Sequence, residues 1–180
     1  MMKRLFIAIP VAEEVKIKLK PLLQELQDTN ADLKLVSLQN IHFTLKFLGK
    51  VAEERIPEIV EKLTPLQQKS FSISLLGVGV FPSVERINVI WIGIKSLELV
   101  SLMKKVNLAL NYVRHEEHEE KPHLTIARVK SGKNKEKILP LVEKYKNTLF
   151  GKMNVEKIIL YESELGKAGP KYTVVHKFIL

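Results

Sequence analysis

Apolar residues recur along the chain in two rhythms, period two and period 3.6, and the switches between them mark out the elements. Arg4 to Val11 is an apolar, β-branched run, the pattern of a buried strand. Across Ala12 to Gln27 the residues Val15, Ile17, Leu19, Leu22, Leu23 and Leu26 make a helical stripe. Lys34 to Leu48 reads as extended and closes at Gly49. Ile56, Ile59, Val60 and Leu63 then predict a helix over Glu53 to Gln68, followed by a strand from Phe71 to Val80 that Phe81-Pro82-Ser83 breaks.

From Arg86 the same order returns. Ile87 to Ile94 is strand-like, Leu97 to Val113 is helical, His123 to Val129 is strand-like, and Lys135 to Leu149 predicts a helix. Val155 to Leu160 and Tyr172 to Leu180 follow as strands around the turn-rich Gly166-Lys167-Ala168-Gly169-Pro170. A repeated β-α-β-α-β order predicts an α+β fold: two lobes, each an antiparallel sheet with flanking helices, related by a pseudo-twofold around a central cleft. The duplication divides the chain at about 1–83 and 84–180. No Gly-, Ser- or Pro-rich linker separates the halves, so 180 residues are expected to fold as a single domain of two lobes.

Composition narrows the chemistry. There is no cysteine, which excludes disulfides, thiolate metal sites and a cysteine nucleophile. Lys+Arg 29 against Asp+Glu 20 gives a formal charge of +9, which favours a polyanionic partner, although lysine surplus also serves solubility and high-temperature stability. The basic start Met1 to Arg4 and the apolar run after it meet Glu13-Glu14 without a small-residue cleavage site. No segment approaches the length of a membrane span, and a cytoplasmic location is expected. The one dense acidic run, His115 to Glu120, reads as a solvated loop or helix end; its histidines stand three apart, not the four of the zinc-protease motif.

Within the repeat, His42-Phe43-Thr44-Leu45 and His123-Leu124-Thr125-Ile126 occupy corresponding places. In a strand, alternate side chains share a face, so each tetrad presents an imidazole beside a hydroxyl and turns its apolar residues to the core. One such tetrad is commonplace. Two at matching positions point to a shared site with paired imidazoles, suited to general acid–base catalysis at phosphorus: one takes a proton from the attacking oxygen, and the other gives one to the departing oxygen. Thr44 and Thr125 would donate to phosphate oxygens, and Arg128 offers a planar fork for the charge. Strict alternation, however, places Arg128 on the face opposite His123, so it needs a bulge or the strand end to reach the site. Lys46 and Asn40 are in phase with His42. They would reach phosphate or backbone.

The doubled tetrads, the Lys121-Pro122-His123-Leu124-Thr125-Ile126-Ala127-Arg128 context and the opening Arg4-Leu5-Phe6-Ile7-Ala8-Ile9-Pro10 strand resemble the two-histidine phosphoesterase superfamily. Its bacterial and archaeal RNA 2′,3′-cyclic phosphodiesterases, also called 2′-5′ RNA ligases, are the most similar branch. The resemblance spans nearly the whole chain. It implies a bilobal fold and hydrolysis of a terminal 2′,3′-cyclic phosphate to a 2′-phosphate, along with the joining of such an end to a 5′-hydroxyl. It also implies that His42 is the proton donor to the 3′-oxygen and His123 the base, whereas the residues alone give the pair without the roles. The expected partner is RNA with 2′,3′-cyclic phosphate ends, tRNA halves among them, acted on by a monomer with no cofactor, no metal ligand and no membrane association.

Of the remaining candidates, Phe43 and Trp91 read as core, and Phe81, Tyr161 and Tyr172 as platforms for a base. Ser131-Gly132-Lys133 lacks phosphate-loop spacing and reads as a basic turn; His176 reads as structural or exposed. The alternative function is a non-catalytic RNA-end-binding protein using the same cleft. A nucleotide-dependent phosphotransferase lacks a recognisable triphosphate site.

Overall fold

The computed structural model describes residues 1–66, 68–113, 122–166 and 169–180. In chain order these form β1 (Met2–Pro10), α1 (Glu13–Asp28), β2 (Leu33–Leu35), β3 (His42–Ala52), α2 (Ile56–Leu63), β4 (Phe71–Pro82), β5 (Ile87–Lys95), α3 (Leu97–Ala109), β6 (His123–Val129), α4 (Ile138–Tyr145), β7 (Leu149–Val155), β8 (Lys157–Gly166) and β9 (Gly169–Ile179). The strands pair antiparallel into two sheets, ordered β3-β1-β8-β9 and β2-β6-β5-β4-β7. The fold is therefore α+β and bilobal, as the repeated pattern predicts.

The sheets do not follow the halves of the chain. β8 and β9 join β1 and β3, while β4 joins β5 and β6, so each sheet draws strands from both halves. The expected boundary at 83/84 falls in the turn between β4 and β5, where residues 83–86 close a hairpin within one sheet. Strands joined by so short a connection pair with each other. The predicted extended stretch from Lys34 to Leu48 is likewise shared, with β2 in one sheet and β3 in the other.

A single apolar cluster joins both sheets and the helices. α1 contributes Val15, Leu19, Leu22 and Leu26, spaced to line one face, whereas Ile17 is exposed. Each such side chain adds about 1.5–3 kcal/mol over leaving it in water. α1 packs on β7 and α4. The predicted helix over Lys135 to Leu149 ends early: α4 stops at Tyr145 and β7 follows, burying Phe150, Met153 and Val155. α3 starts where Ser96 Oγ accepts from the Leu99 N–H at 3.1 Å, and it ends at Ala109, short of Val113. The acidic run His115 to Glu120 lies outside the described residues.

Candidate active site

β3 and β6 carry the two tetrads, and Cα atoms of one strand come within 8 Å of Cα atoms of the other. Both strands begin with strict alternation. His42 and Thr44 are half-buried and Phe43 is buried at 1% exposure, while in β6 His123 and Thr125 are half-buried and Leu124 is buried. Each strand then carries an extra residue just after its Thr, and β3 carries a second at Leu48. In β3, Thr44 faces Ala8 and Lys46 faces Ile7, leaving Leu45 unpaired; in β6, Thr125 faces Trp91 and Ala127 faces Ile90, leaving Ile126 unpaired. The Ile126 carbonyl is satisfied instead by the Val36 N–H at 2.9 Å.

A bulge inverts the phase of everything after it. Arg128 consequently stands opposite Val89, in the row that continues from Trp91 and Thr125, on the same face as His123. The obstacle set by strict alternation is removed. Lys46 changes the other way: opposite Ile7 and only 6% exposed, it lies on the core face, where its Nζ donates to Asn107 Oδ1 of α3 at 3.0 Å. Burial lowers its pKa. The expectation that Lys46 shares the His42 face is thus corrected by the bulge at Leu45. Phe47 takes the position in the first tetrad that Arg128 holds in the second, and it is 42% exposed.

His42 is held from several sides. Its Nδ1–H donates to the Asn40 carbonyl at 2.6 Å, which leaves Nε2 for chemistry. The side-chain amide of Asn40 donates to the Pro170 carbonyl at 2.8 Å, tying the turn before β3 to the start of β9. Asn40 therefore reaches backbone, one of the two roles its phase allows. The Phe6 ring lies 4.8 Å from the imidazole and Tyr172 meets it edge-on at 5.2 Å, with Tyr161 stacked on Phe6 at 5.3 Å. Burial pushes the His42 pKa below its ordinary value, with a smaller opposing effect from the hydrogen bond to Asn40. Burial also raises the Tyr172 pKa, and the charge of Arg128 acts against that rise.

A cavity of about 580 Å³ opens beside His42, walled by Asn40, Gln39, Tyr161, Tyr172, Pro170 and Lys171 among others. Its volume suits a nucleotide-sized ligand. Thr44, His123, Thr125 and Arg128 are not among its walls. On the second sheet, Phe81 meets the His123 ring edge-on at 5.0 Å and lies 5.0 Å from Trp91. Trp91 is half-buried on the cleft face rather than in the core, because it pairs with Thr125 and lies over Gly79, where a Cβ would fall 2.2 Å from the indole. Its N–H is buried without a partner among the described residues. His176 stands on the core face opposite Leu160, its ring 4.6 Å from Phe178. Among the described residues no cluster of three His, Cys, Asp or Glu is placed to hold a metal ion, and no helix is long and apolar enough to cross a membrane.

Sequence reasoning missed Phe6 and Phe47 as neighbours of the site. The interval from His42 to Phe47 equals that from His123 to Arg128, and this shared offset is the signal that marks Phe47.

The family model described as LigT like Phosphoesterase matches residues 9–91 and 94–172. The chain belongs to this family. It is 38% identical over 176 residues to the RNA 2′,3′-cyclic phosphodiesterase of Methanocaldococcus jannaschii, covering 97% of this chain and 99% of that one. The protein of the same name from Archaeoglobus fulgidus is 38% identical over 177 residues, covering 97% and 99%. Among solved structures, one from Thermus thermophilus superposes with a TM-score of 0.83 at 28% identity, covering 98% and 97% of the two chains. E. coli LigT in its apo form gives 0.78 at 22% identity, covering 99% and 98%, a likeness of fold.

Proposed function

We propose that this LigT-like phosphoesterase hydrolyses the 2′,3′-cyclic phosphate at an RNA end to a 2′-phosphomonoester, with His42 and His123 transferring the protons. The observation that supports the reading is the pairing pattern of β3 and β6, two strands close to one another: His42 and Thr44 share one face of β3, and His123, Thr125 and, past the bulge, Arg128 share one face of β6. The names of the relatives from M. jannaschii and A. fulgidus point to the same substrate.

In this mechanism His123 takes a proton from water as its oxygen attacks phosphorus. The bond from phosphorus to the 3′-oxygen breaks, and His42 gives its Nε2 proton to that oxygen. This division of roles follows the family resemblance. The environment of His42 suits a donor: the Asn40 carbonyl keeps one proton on Nδ1, so the transferable proton of the imidazolium sits on Nε2. Burial makes that imidazolium a stronger acid, while the anionic phosphate of the bound substrate favours charging it. Thr44 and Thr125 donate to the non-bridging oxygens, and the Arg128 guanidinium stabilises their charge. A 5′-hydroxyl in place of water gives a 2′-5′ linkage by the same displacement. The reaction uses no metal. The protein acts as a cytoplasmic monomer, with tRNA halves among its substrates, and residues 1–83 and 84–180 are duplicated halves that have exchanged strands.

The test is incubation of the purified protein with an RNA oligonucleotide ending in a 2′,3′-cyclic phosphate, in excess EDTA. The expected product carries a 2′-phosphate. RNA bound without turnover would instead establish a non-catalytic end-binding protein, and turnover abolished by EDTA would overturn the metal-independent mechanism.

A further inference from the structure

A second, smaller cavity of about 180 Å³ lies at the far end of the β5–β6 pair, with Arg86, Asn88, Lys130, Ser131, Gly132 and Lys135 in its wall. Three cationic side chains border a space too small for a base and its ribose together. The turn that forms it is firmly tied. The Lys130 N–H donates to the Asp32 carbonyl at 2.8 Å, and Asn134, in the left-handed region at φ 51°, donates its amide to the Asn30 carbonyl at 3.0 Å. The Ser131 hydroxyl accepts from the Lys133 N–H at 3.4 Å. A Cβ at Gly132 would meet no atom within 4 Å, so the mouth is open there. Glu85 is the neighbouring acid: its carboxyl is held mainly by Ser83 and more weakly by the charge of Lys135, whose Nζ also donates to the Glu85 carbonyl.

The placement relative to the tetrad strand gives the cavity its meaning. Lys130 follows Arg128 by two residues, which advances the chain about 6.6 Å. Neighbouring phosphates of an extended nucleotide strand are spaced by about the same distance. We infer that this cavity binds the backbone phosphate on the 5′ side of the reacting nucleotide, making the chain selective for the ends of RNA oligonucleotides over cyclic mononucleotides. The inference rests on the phosphodiesterase reading, with Arg128 at the cyclic phosphate. It also gives a place to part of the +9 charge and to the basic Ser131-Gly132-Lys133 turn.

The test compares two substrates, a nucleoside 2′,3′-cyclic phosphate and a trinucleotide with the same terminus, with wild-type protein and the double variant Arg86→Ser/Lys130→Ser. For the trinucleotide the variant raises KM about tenfold, as expected for lost contacts to a charged group. The slope of log(kcat/KM) against log[salt] becomes shallower by about 0.7 per phosphate contact removed. For the cyclic nucleoside KM and kcat stay as in the wild type. An equal loss on both substrates, or no loss on either, overturns the inference. If the wild type turns over neither substrate, the phosphodiesterase reading fails. The cavity is then judged by fluorescence titration of the trinucleotide: weaker binding by the variant sustains the phosphate site, and unchanged binding removes it.

Discussion

At His42 two effects on the proton oppose each other, since burial destabilises the imidazolium and the Asn40 carbonyl stabilises it. Burial is the larger, so the folded-state pKa lies below the unfolded value of about 6.5. Between those two values the unfolded chain binds more protons, and stability falls as pH drops below about 6.5. Urea midpoints at pH 7.5 and 5.5 should therefore fall further for the wild type than for His42→Gln; an equal fall would show that the burial of His42 is not felt. Asn40 acts at one remove, as a positioning residue. Asn40→Asp cannot donate to Pro170, and the freed turn should lower kcat about tenfold and move the pH profile, with the melting temperature little changed. A change in KM alone would contradict that role. Arg128 and Lys46 make a contrasting pair. Arg128→Gln should cost about 10²-fold in kcat, while Lys46→Met, on the core face, should leave kcat within about threefold.

That contrast exists because of elements rather than residues. Alternation is legible in sequence, and with it the His-Thr faces and the apolar backs of both tetrads. A bulge is not, because nothing in Leu45-Lys46 or Ile126-Ala127 announces the extra residue; only the pairing with β1 and β5 creates it. Sheet membership is hidden for a similar reason. Repetition of order reports local pattern, while the partners of β4 and β8 are settled by short hairpins and by contacts distant in sequence. β7 merges with the preceding helix in the sequence pattern because its alternating burial is short and starts immediately after α4. Trp91 shows the cost of reading a strand as uniformly buried: it needs the bare backbone of Gly79 to lie on the cleft face. Gly79→Val forces the indole to move, destabilising by about 1–3 kcal/mol. As the protein has one tryptophan, its emission spectrum reports the displacement directly.

Across the whole molecule, strands from both halves interleave in both sheets, and one apolar cluster spans them. Such an arrangement unfolds as a unit, and the fragments 1–83 and 84–180 should each lack the fold when expressed alone. The interleaving also anchors the two tetrad strands to a common core, with the His-Thr face of each turned away from it. The central claim is that His42 and His123, from opposite halves of the chain, form one catalytic pair. The most direct measurement is the single-turnover rate on RNA ending in a 2′,3′-cyclic phosphate for wild type, His42→Ala, His123→Ala and the double variant. Each single substitution should cost about 10²- to 10⁴-fold, with the double variant little slower than the worse single one. Full turnover by either single variant would contradict the account.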